Sequence, residues 1–425
     1  MRYQELKGEA LEKELSLVRA EYDEICKKGL KLDLSRGKPG RDQLNLSMEM
    51  MNLTFTEEDL IKEGGVDCRN YGLLFGIPEM QRFWAEITGI PADCIIVGGN
   101  SSLNMMYDSV VRSMVYGNKD SECPWCKQEK IKFLCPAPGY DRHFGICQSL
   151  GIEMIPVALG KDGPDMDEVE KLVLDPTVKG IWCVPKYSNP TGITYSDEVV
   201  RRLARMKVGA ADFRIYWDNA YIIHDLVEEG DQLLDIFAEC EKVGTEDRIL
   251  YFTSSSKITF PGSGVAMMAS SRRNIEFIKP KFGVQTIGPD KLNQLRHLAF
   301  LKDLAGTREQ MRRHAAIIGT KFDIVLSAFR ERLLPTGTCS WTEPRGGYFI
   351  SLDVMEGTAK RVYVLCKDAG VTLTTAGATY PYGIDPRDQN LRIAPTYPSN
   401  ENVKAAVDVL CVAVKLAALE KLARA

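Results

Sequence analysis

A chain of 425 residues is longer than one hydrophobic core serves, since cores stop growing beyond roughly 250–300 residues, and two lobes are expected. Apolar residues make up 44% and charged residues 26%, an ordinary globular balance. The net charge of −4 gives no general attraction to nucleic acid or an anionic membrane, and neither is expected as a partner.

In chain order, residues 1–29, "MRYQELKGEALEKELSLVRAEYDEICKKG", hold no apolar core of the signal-peptide kind. Twelve cysteines without such a signal point to a reducing cytoplasm. The first strand candidate is "CIIVGG" (94–99), and a helical pattern over 101–117 follows it. "CPWC" (123–126) has the spacing of a redox or half-zinc motif. No second pair accompanies it, and it reads as structural or incidental thiols. Further strands are expected at 131–136, 180–185, 213–218, 248–254 and 264–270. They are apolar nearly throughout, as strands covered on both faces are. The pattern over 196–209 is helical, with Ser196 as its N-cap. Strands alternating with helices predict an α/β lobe with a mostly parallel sheet.

After about residue 320 the texture changes to a smaller α+β lobe. The expected division is 48–320 for the large domain, with 1–47 and 321–425 forming the small one. The late apolar run "AAVDVLCVAVKLAALEKL" is interrupted by Asp408 and Lys415. It reads as an amphipathic terminal helix rather than a membrane span.

In such sheets chemistry collects at the carboxyl ends of strands. Asn100, Ser101 and Ser102 lie there, as do Tyr140, Asn189, Asp218 and Lys257. "GGNSSL" places small polar residues at a helix start, which suits either a phosphate or a simple N-cap. Asp218 ends an apolar strand and needs a cationic or donor partner. A protonated pyridine nitrogen would serve, and so would an ion pair or a helix cap. Tyr221 lies three residues further on. Lys257, in "SSSKITFPGSG" (254–264), would be a solvated residue if it stood alone. A lysine whose pKa is lowered becomes nucleophilic and can form a Schiff base with an aldehyde cofactor. Pyridoxal phosphate needs a lysine, an acid for its ring nitrogen and a cradle for its phosphate, and the chain offers all three. Ser254 and Ser256 can donate to the phosphate or orient the amine.

Eight segments in order resemble the class I/II aminotransferases of fold type I. They are "LSRGKPG" (34–40), "YGLLFGIPEM" (71–80), "GGNSSL" (98–103), "PAPGYDRHF" (136–144), "SNPTG" (188–192), "WDNAY" (217–221), "SSSK" (254–257) and "NLRIA" (390–394). The details are most similar to a bacterial subgroup of aspartate aminotransferases whose catalytic domain is like that of MocR-type regulators. The resemblance implies a mostly parallel seven-stranded sheet with helices on both faces, a smaller α+β domain and bound pyridoxal 5'-phosphate. It implies an amino acid and a 2-oxo acid as substrates, with aspartate and 2-oxoglutarate favoured.

The resemblance also assigns roles. Lys257 would hold the cofactor and shuttle a proton, and Asp218 would pair with the ring nitrogen. Asn189 and Tyr221 would bond the ring oxygen, and Tyr140 would stack on the ring. Asn100, Ser101, Ser102 and Ser254 would bind phosphate. Tyr71 would reach the phosphate of a neighbouring subunit, so a homodimer is implied. Arg392 would grip the α-carboxylate, aided by the backbone near Gly37. Arg142 is the preferred cation for a second carboxylate, with Arg36 and Lys38 as the others. The chain departs from the family at one place: Ser263 stands near the position of a phosphate-anchoring arginine, and no arginine follows Lys257 until Arg272.

A C–S lyase or decarboxylase on the same scaffold would keep every one of these residues. A regulator that senses the cofactor would need a DNA-binding module, and the region before Gly37 is too short and too acidic for one. The four histidines, His143, His224, His297 and His314, have no metal-ligand spacing.

Overall fold

The computed structural model describes residues 2–424. The short apolar runs form a sheet of β1 (Ile95–Val97), β2 (Lys132–Ala137), β3 (Glu153–Gly160), β4 (Gly163–Pro164), β5 (Val178–Cys183), β6 (Arg214–Asp218), β7 (Ile249–Ser254) and β8 (Ala266–Ala269). Their spatial order is β1-β8-β7-β6-β5-β2-β3-β4. From β7 through β3 the pairing is parallel. Strand β8 runs antiparallel to both neighbours, and β4 turns back on β3.

Alternate residues of one strand enter different cores. Ile95 and Val97, Ile181 and Cys183, and Ile215 and Trp217 lie in one buried cluster. Ile96, Trp182 and Tyr216, from between them, lie in another. Side chains of a strand alternate between faces, so both faces are covered, and this explains the unbroken apolar runs.

The seven strands implied by the resemblance are present, and the two-residue β4 adds an eighth at the edge. Strand β3 is missing from the runs read out of the sequence. It lies towards that edge and mixes buried with exposed positions, so it never reads as a continuous apolar run.

A third core joins helix α1 (Glu9–Cys26), through Leu11, Val18, Tyr22 and Ile25, to the C-terminal elements. The strand Leu32–Asp33 pairs in parallel with Val371–Thr372. Helices α2 (Ser102–Tyr116), α3 (Asp141–Ser149) and α4 (Asp197–Arg205) follow strands of the large sheet. Ser196 caps α4 as expected, accepting from the Val199 amide. Helix α5 (Leu304–Arg332) has 29 residues. Its Met311 lies in one core of the large sheet, and Ile318 to Phe329 lie in the C-terminal core. The boundary expected at residue 320 thus falls inside a helix that passes through both cores.

Helix α6 (Asn400–Leu422) is not the half-exposed amphipathic helix its charges suggested. It is buried at most positions from Val403 to Glu420. It packs against both α1 and α5. Asp408 is accommodated by an ion pair to Arg332 at 2.7 Å. Among the described residues no helix is long and apolar enough to cross a membrane. All twelve cysteines are free, and Cys126 is exposed. The fixed point of the "CPWC" segment is Trp125, fully buried with its indole N–H on Asp212 at 2.8 Å.

Leu410, 0% exposed in α6, supplies a test of this packing. Leu410→Ala should cost about 2–5 kcal/mol, read as a lower melting temperature. Val364→Ala, at a 42% exposed position, should leave it nearly unchanged.

Candidate active site

Strand β6 carries Arg214, Tyr216 and Asp218 on one face and delivers Asp218 at its carboxyl end. Asp218 is 3% exposed. His143 Nε2 donates to its Oδ2 at 3.1 Å. The His143 ring is stacked on Trp182, with centroids 4.3 Å apart and planes 12° from parallel. The other oxygen, Asp218 Oδ1, is buried without a hydrogen-bond partner among the described residues. A buried carboxylate oxygen left unpaired is costly, so the geometry calls for a donor at that point.

Lys257 arrives from the neighbouring strand. Strand β7 ends at Ser254, and a single turn, Ser255–Lys257, follows. Buried Ser255 fixes that turn by accepting from the Val265 amide at 2.8 Å. The Lys257 ammonium lies 4.9 Å from the Tyr221 ring centroid and 5.7 Å from that of Tyr348. Burial pulls its pKa below the usual lysine value, while the charge of Asp218 partly opposes this. Burial, with Tyr140 and Asp218 nearby, pushes the Tyr221 hydroxyl far up, so it stays protonated. Tyr140 sets its ring edge-on to His143 at 4.9 Å.

Arg392 sits on the strand Asn390–Ile393 with its side chain 9% exposed. Its Nη1 donates to Asp141 Oδ1 at 2.8 Å and to Asn189 Oδ1 at 3.3 Å. Its Nε and Nη2 both donate to Thr374 Oγ1, at 3.3 and 3.2 Å. The guanidinium carbon stands 5.0 Å from the Phe349 ring centroid. Gly37 also approaches that ring, and any Cβ there would overlap Phe349. Only glycine lets the backbone pass there.

The expected phosphate end is built from small groups. Ser254 Oγ donates to Ser256 Oγ at 3.0 Å, which donates to the Asn100 carbonyl at 2.7 Å. A Cβ on Gly264 would stand 2.9 Å from Ser256 Oγ, so this approach too needs glycine. Ser101 takes the N-cap position of α2 without a side-chain cap bond, and Ser102 begins the helix. The loop after Lys257 is held by amides: Asn100 Nδ2 donates to the Gly262 carbonyl, and Asn293 Nδ2 to those of Ser263 and Gly264. Arg272 is spent on an exposed ion pair with Asp93 at 2.6 Å, so it does not replace the arginine absent at Ser263.

Four expected residues make no hydrogen bond or ion pair with Asp218, Lys257 or Arg392. Arg142 is exposed and lines a cleft between α2 and α3 with Asn104 and Tyr107. Tyr71 is 82% exposed. Lys38 lies over the Tyr397 ring at 3.8 Å, and Arg36 is exposed.

The family model described as aspartate amino-transferase matches residues 6–425. The chain belongs to the aspartate aminotransferase family. An aspartate aminotransferase of Corynebacterium glutamicum is 46% identical, over 95% of this chain and 93% of that one. A Mycolicibacterium smegmatis protein named as an aminotransferase is 49% identical over 99% of both chains. The crystal structure of an aspartate transaminase from C. glutamicum superposes with a TM-score of 0.96 at 44% identity, covering 99% of each chain.

Sequence reasoning missed part of this aminotransferase's site. His143 lies three residues after Tyr140, one helical turn away and so on the same side of α3. That spacing is visible in the sequence, although the four histidines show no metal-ligand pattern. Gln43, His314 and Tyr348 gave no signal. They meet beneath the lysine from distant parts of the chain. Gln43 Nε2 donates to Tyr348 Oη at 3.0 Å and to His314 Nδ1 at 3.2 Å. His314 Nε2 donates to the Ile258 carbonyl at 3.0 Å, and Tyr348 Oη to that of Lys257 at 3.4 Å. On the other flank, Thr259 Oγ1 lies 2.8 Å from His297 Nε2.

Both clamping histidines are neutral, because burial pulls His314 and His297 down to about 4 from 6.5. Between those values the unfolded chain binds protons that the folded one does not. Their contribution to stability is therefore full above pH 6.5 and is lost as pH falls towards about 4. The melting temperature should drop across this window, and His314→Asn or His297→Asn should each flatten the slope. Wild-type slopes in both variants would contradict the clamp.

Proposed function

We propose that this aminotransferase carries pyridoxal phosphate on Lys257 and moves an amino group between aspartate and 2-oxoglutarate. The observation that carries the reading is the unpaired buried Asp218 Oδ1, at the end of the strand next to the one that delivers Lys257. A protonated pyridine nitrogen would supply the missing donor, and no ion pair among the described residues does. When bound, the cofactor supplies an electron sink for the bond to the substrate's α-hydrogen.

The protein's own residues divide the remaining work. Asp218, oriented by His143, holds the proton on the ring nitrogen. The lowered pKa of Lys257 makes its amine available as the base that takes the α-proton and returns it. Tyr221 and Asn189 donate to the ring oxygen, and Tyr140 covers the ring face. Asn100, Ser101, Ser102 and Ser254 hold the phosphate with hydroxyls, an amide and the free N–H groups of the first turn of α2. Arg392 takes the α-carboxylate as a fork, with the Gly37 backbone alongside. Tyr71 reaches the phosphate of a second copy in a homodimer, which accounts for its exposure here. Aspartate is favoured by the Corynebacterium relative, and Arg142 is the cation assigned to its side-chain carboxylate.

Lys257→Ala should lose transamination by roughly 10²–10⁴-fold or more, and borohydride should then fix no cofactor to the chain. Wild-type turnover in that variant would end the proposal. Keto-acid release that needs no 2-oxoglutarate would indicate a lyase instead. Arg142→Ala should weaken use of aspartate far more than use of alanine, measured as kcat/KM for each. Equal losses would remove Arg142 from the site.

A further inference from the structure

Arginine has five N–H groups, and four of those on Arg392 are committed in this structure. One is on Nε to Thr374, two are on Nη1 to Asp141 and Asn189, and one is on Nη2 to Thr374. A carboxylate fork needs two N–H groups on adjacent nitrogens. One N–H on Nη2 remains, and every fork that uses it also requires Nε or Nη1. Some present acceptor must therefore leave before a substrate carboxylate can be gripped in this way.

The three acceptors differ in how easily they can leave. Asn189 is 4% exposed, and in the reading above it also faces the cofactor ring. Thr374 is tied down, since its hydroxyl donates to the Ser35 carbonyl at 2.9 Å. Asp141 is the only charged one. Its side chain is 31% exposed, against 9% for Arg392. It lies in the first turn of α3, directly after Tyr140, where a carboxylate is also favoured by the helix dipole when it swings free of Arg392.

We propose that Asp141 is an internal competitor for the substrate carboxylate, a residue that sets the affinity of the Arg392 seat. This rests on the reading that Arg392 holds the α-carboxylate. Binding is then an exchange of one carboxylate for another on the same guanidinium. Asp141 keeps Arg392 neutralised between turnovers and rotates to solvent when substrate arrives. A weakly binding anion with a single contact cannot displace it, whereas a fork-forming carboxylate can.

The alternative role is opposite in sign. If Asp141 merely orients Arg392, its removal weakens carboxylate binding. If it competes, its removal strengthens it. Succinate, a dicarboxylate with no amino group to transfer, separates the two when titrated calorimetrically into the holoenzyme. Asp141→Asn keeps a hydrogen-bond acceptor without the charge, and Asp141→Ala removes both. Succinate should bind both variants tighter by roughly tenfold, the order set by one charge-assisted hydrogen bond at a half-exposed position. KM for the amino donor should fall in parallel, without a rise in kcat. Unchanged or weaker succinate binding in either variant overturns the proposal. Arg392→Gln tests the underlying reading separately. It should abolish succinate binding in every background, and wild-type affinity there would remove Arg392 from the carboxylate seat altogether.

Discussion

A carboxylate at the end of a strand buried on both faces can stay ionised only if its surroundings supply donors. Asp218 has one, from His143, and its second oxygen has none among the described residues. That imbalance organises the centre. Trp182 holds the imidazole flat, so the donor approaches from a set direction. Tyr140, Tyr221 and Lys257 all lie close enough to feel the charge of Asp218. The same carboxylate opposes the effect of burial on Lys257. An acid at 218 without a ligand to use its second oxygen would be a liability in a core of this kind.

The large sheet was legible because burial on both faces leaves an unambiguous mark, a run of apolar residues with no polar alternation. The same mark failed for β3, which lies towards the sheet edge, and for α6, where Asp408 and Lys415 suggest a solvent face. Asp408 of α6 is satisfied by Arg332, and no local pattern announces a partner 76 residues away. Among the site residues, those that end strands could be placed by topology alone. Those that brace them could not. Gln43, His314 and Tyr348 are ordinary residues in ordinary contexts, and only the folded chain brings them under the lysine. Asp141 stood in plain view inside "PGYDRHF" but had no reason to be singled out until its distance to Arg392 was known.

The bracing residues have a further consequence. Gln43 follows the Gly37 loop, His314 lies on α5 and Tyr348 precedes the strand Ile350–Asp353. Tyr348 and His314 reach the carbonyls of Lys257 and Ile258, and Gln43 bridges the two. The lysine loop is therefore fixed from elements of the C-terminal core as well as from its own sheet. Helix α5 threads both cores, so the brace on the lysine loop and the packing of the C-terminal core share one member. A shift of the small domain relative to the sheet would be felt at the lysine through these bonds.

Charge balance explains why the centre can be so enclosed. Asp218 and Arg392 are both nearly buried, and each would destabilise the fold if left alone. Asp218 is offset by Lys257 and His143, and Arg392 is offset by Asp141. The two pairs differ in permanence. The first is enclosed, with His143 stacked on Trp182 and both its side chain and that of Asp218 buried. The second joins a buried cation to a half-exposed anion on the first turn of a helix, and that anion can leave. A substrate that brings its own carboxylate restores the balance it disturbs, whereas one without a carboxylate could take the seat only by leaving Arg392 without a partner. Discrimination in favour of carboxylate-bearing substrates then follows from the cost of an unpaired buried guanidinium as much as from the contacts that are gained.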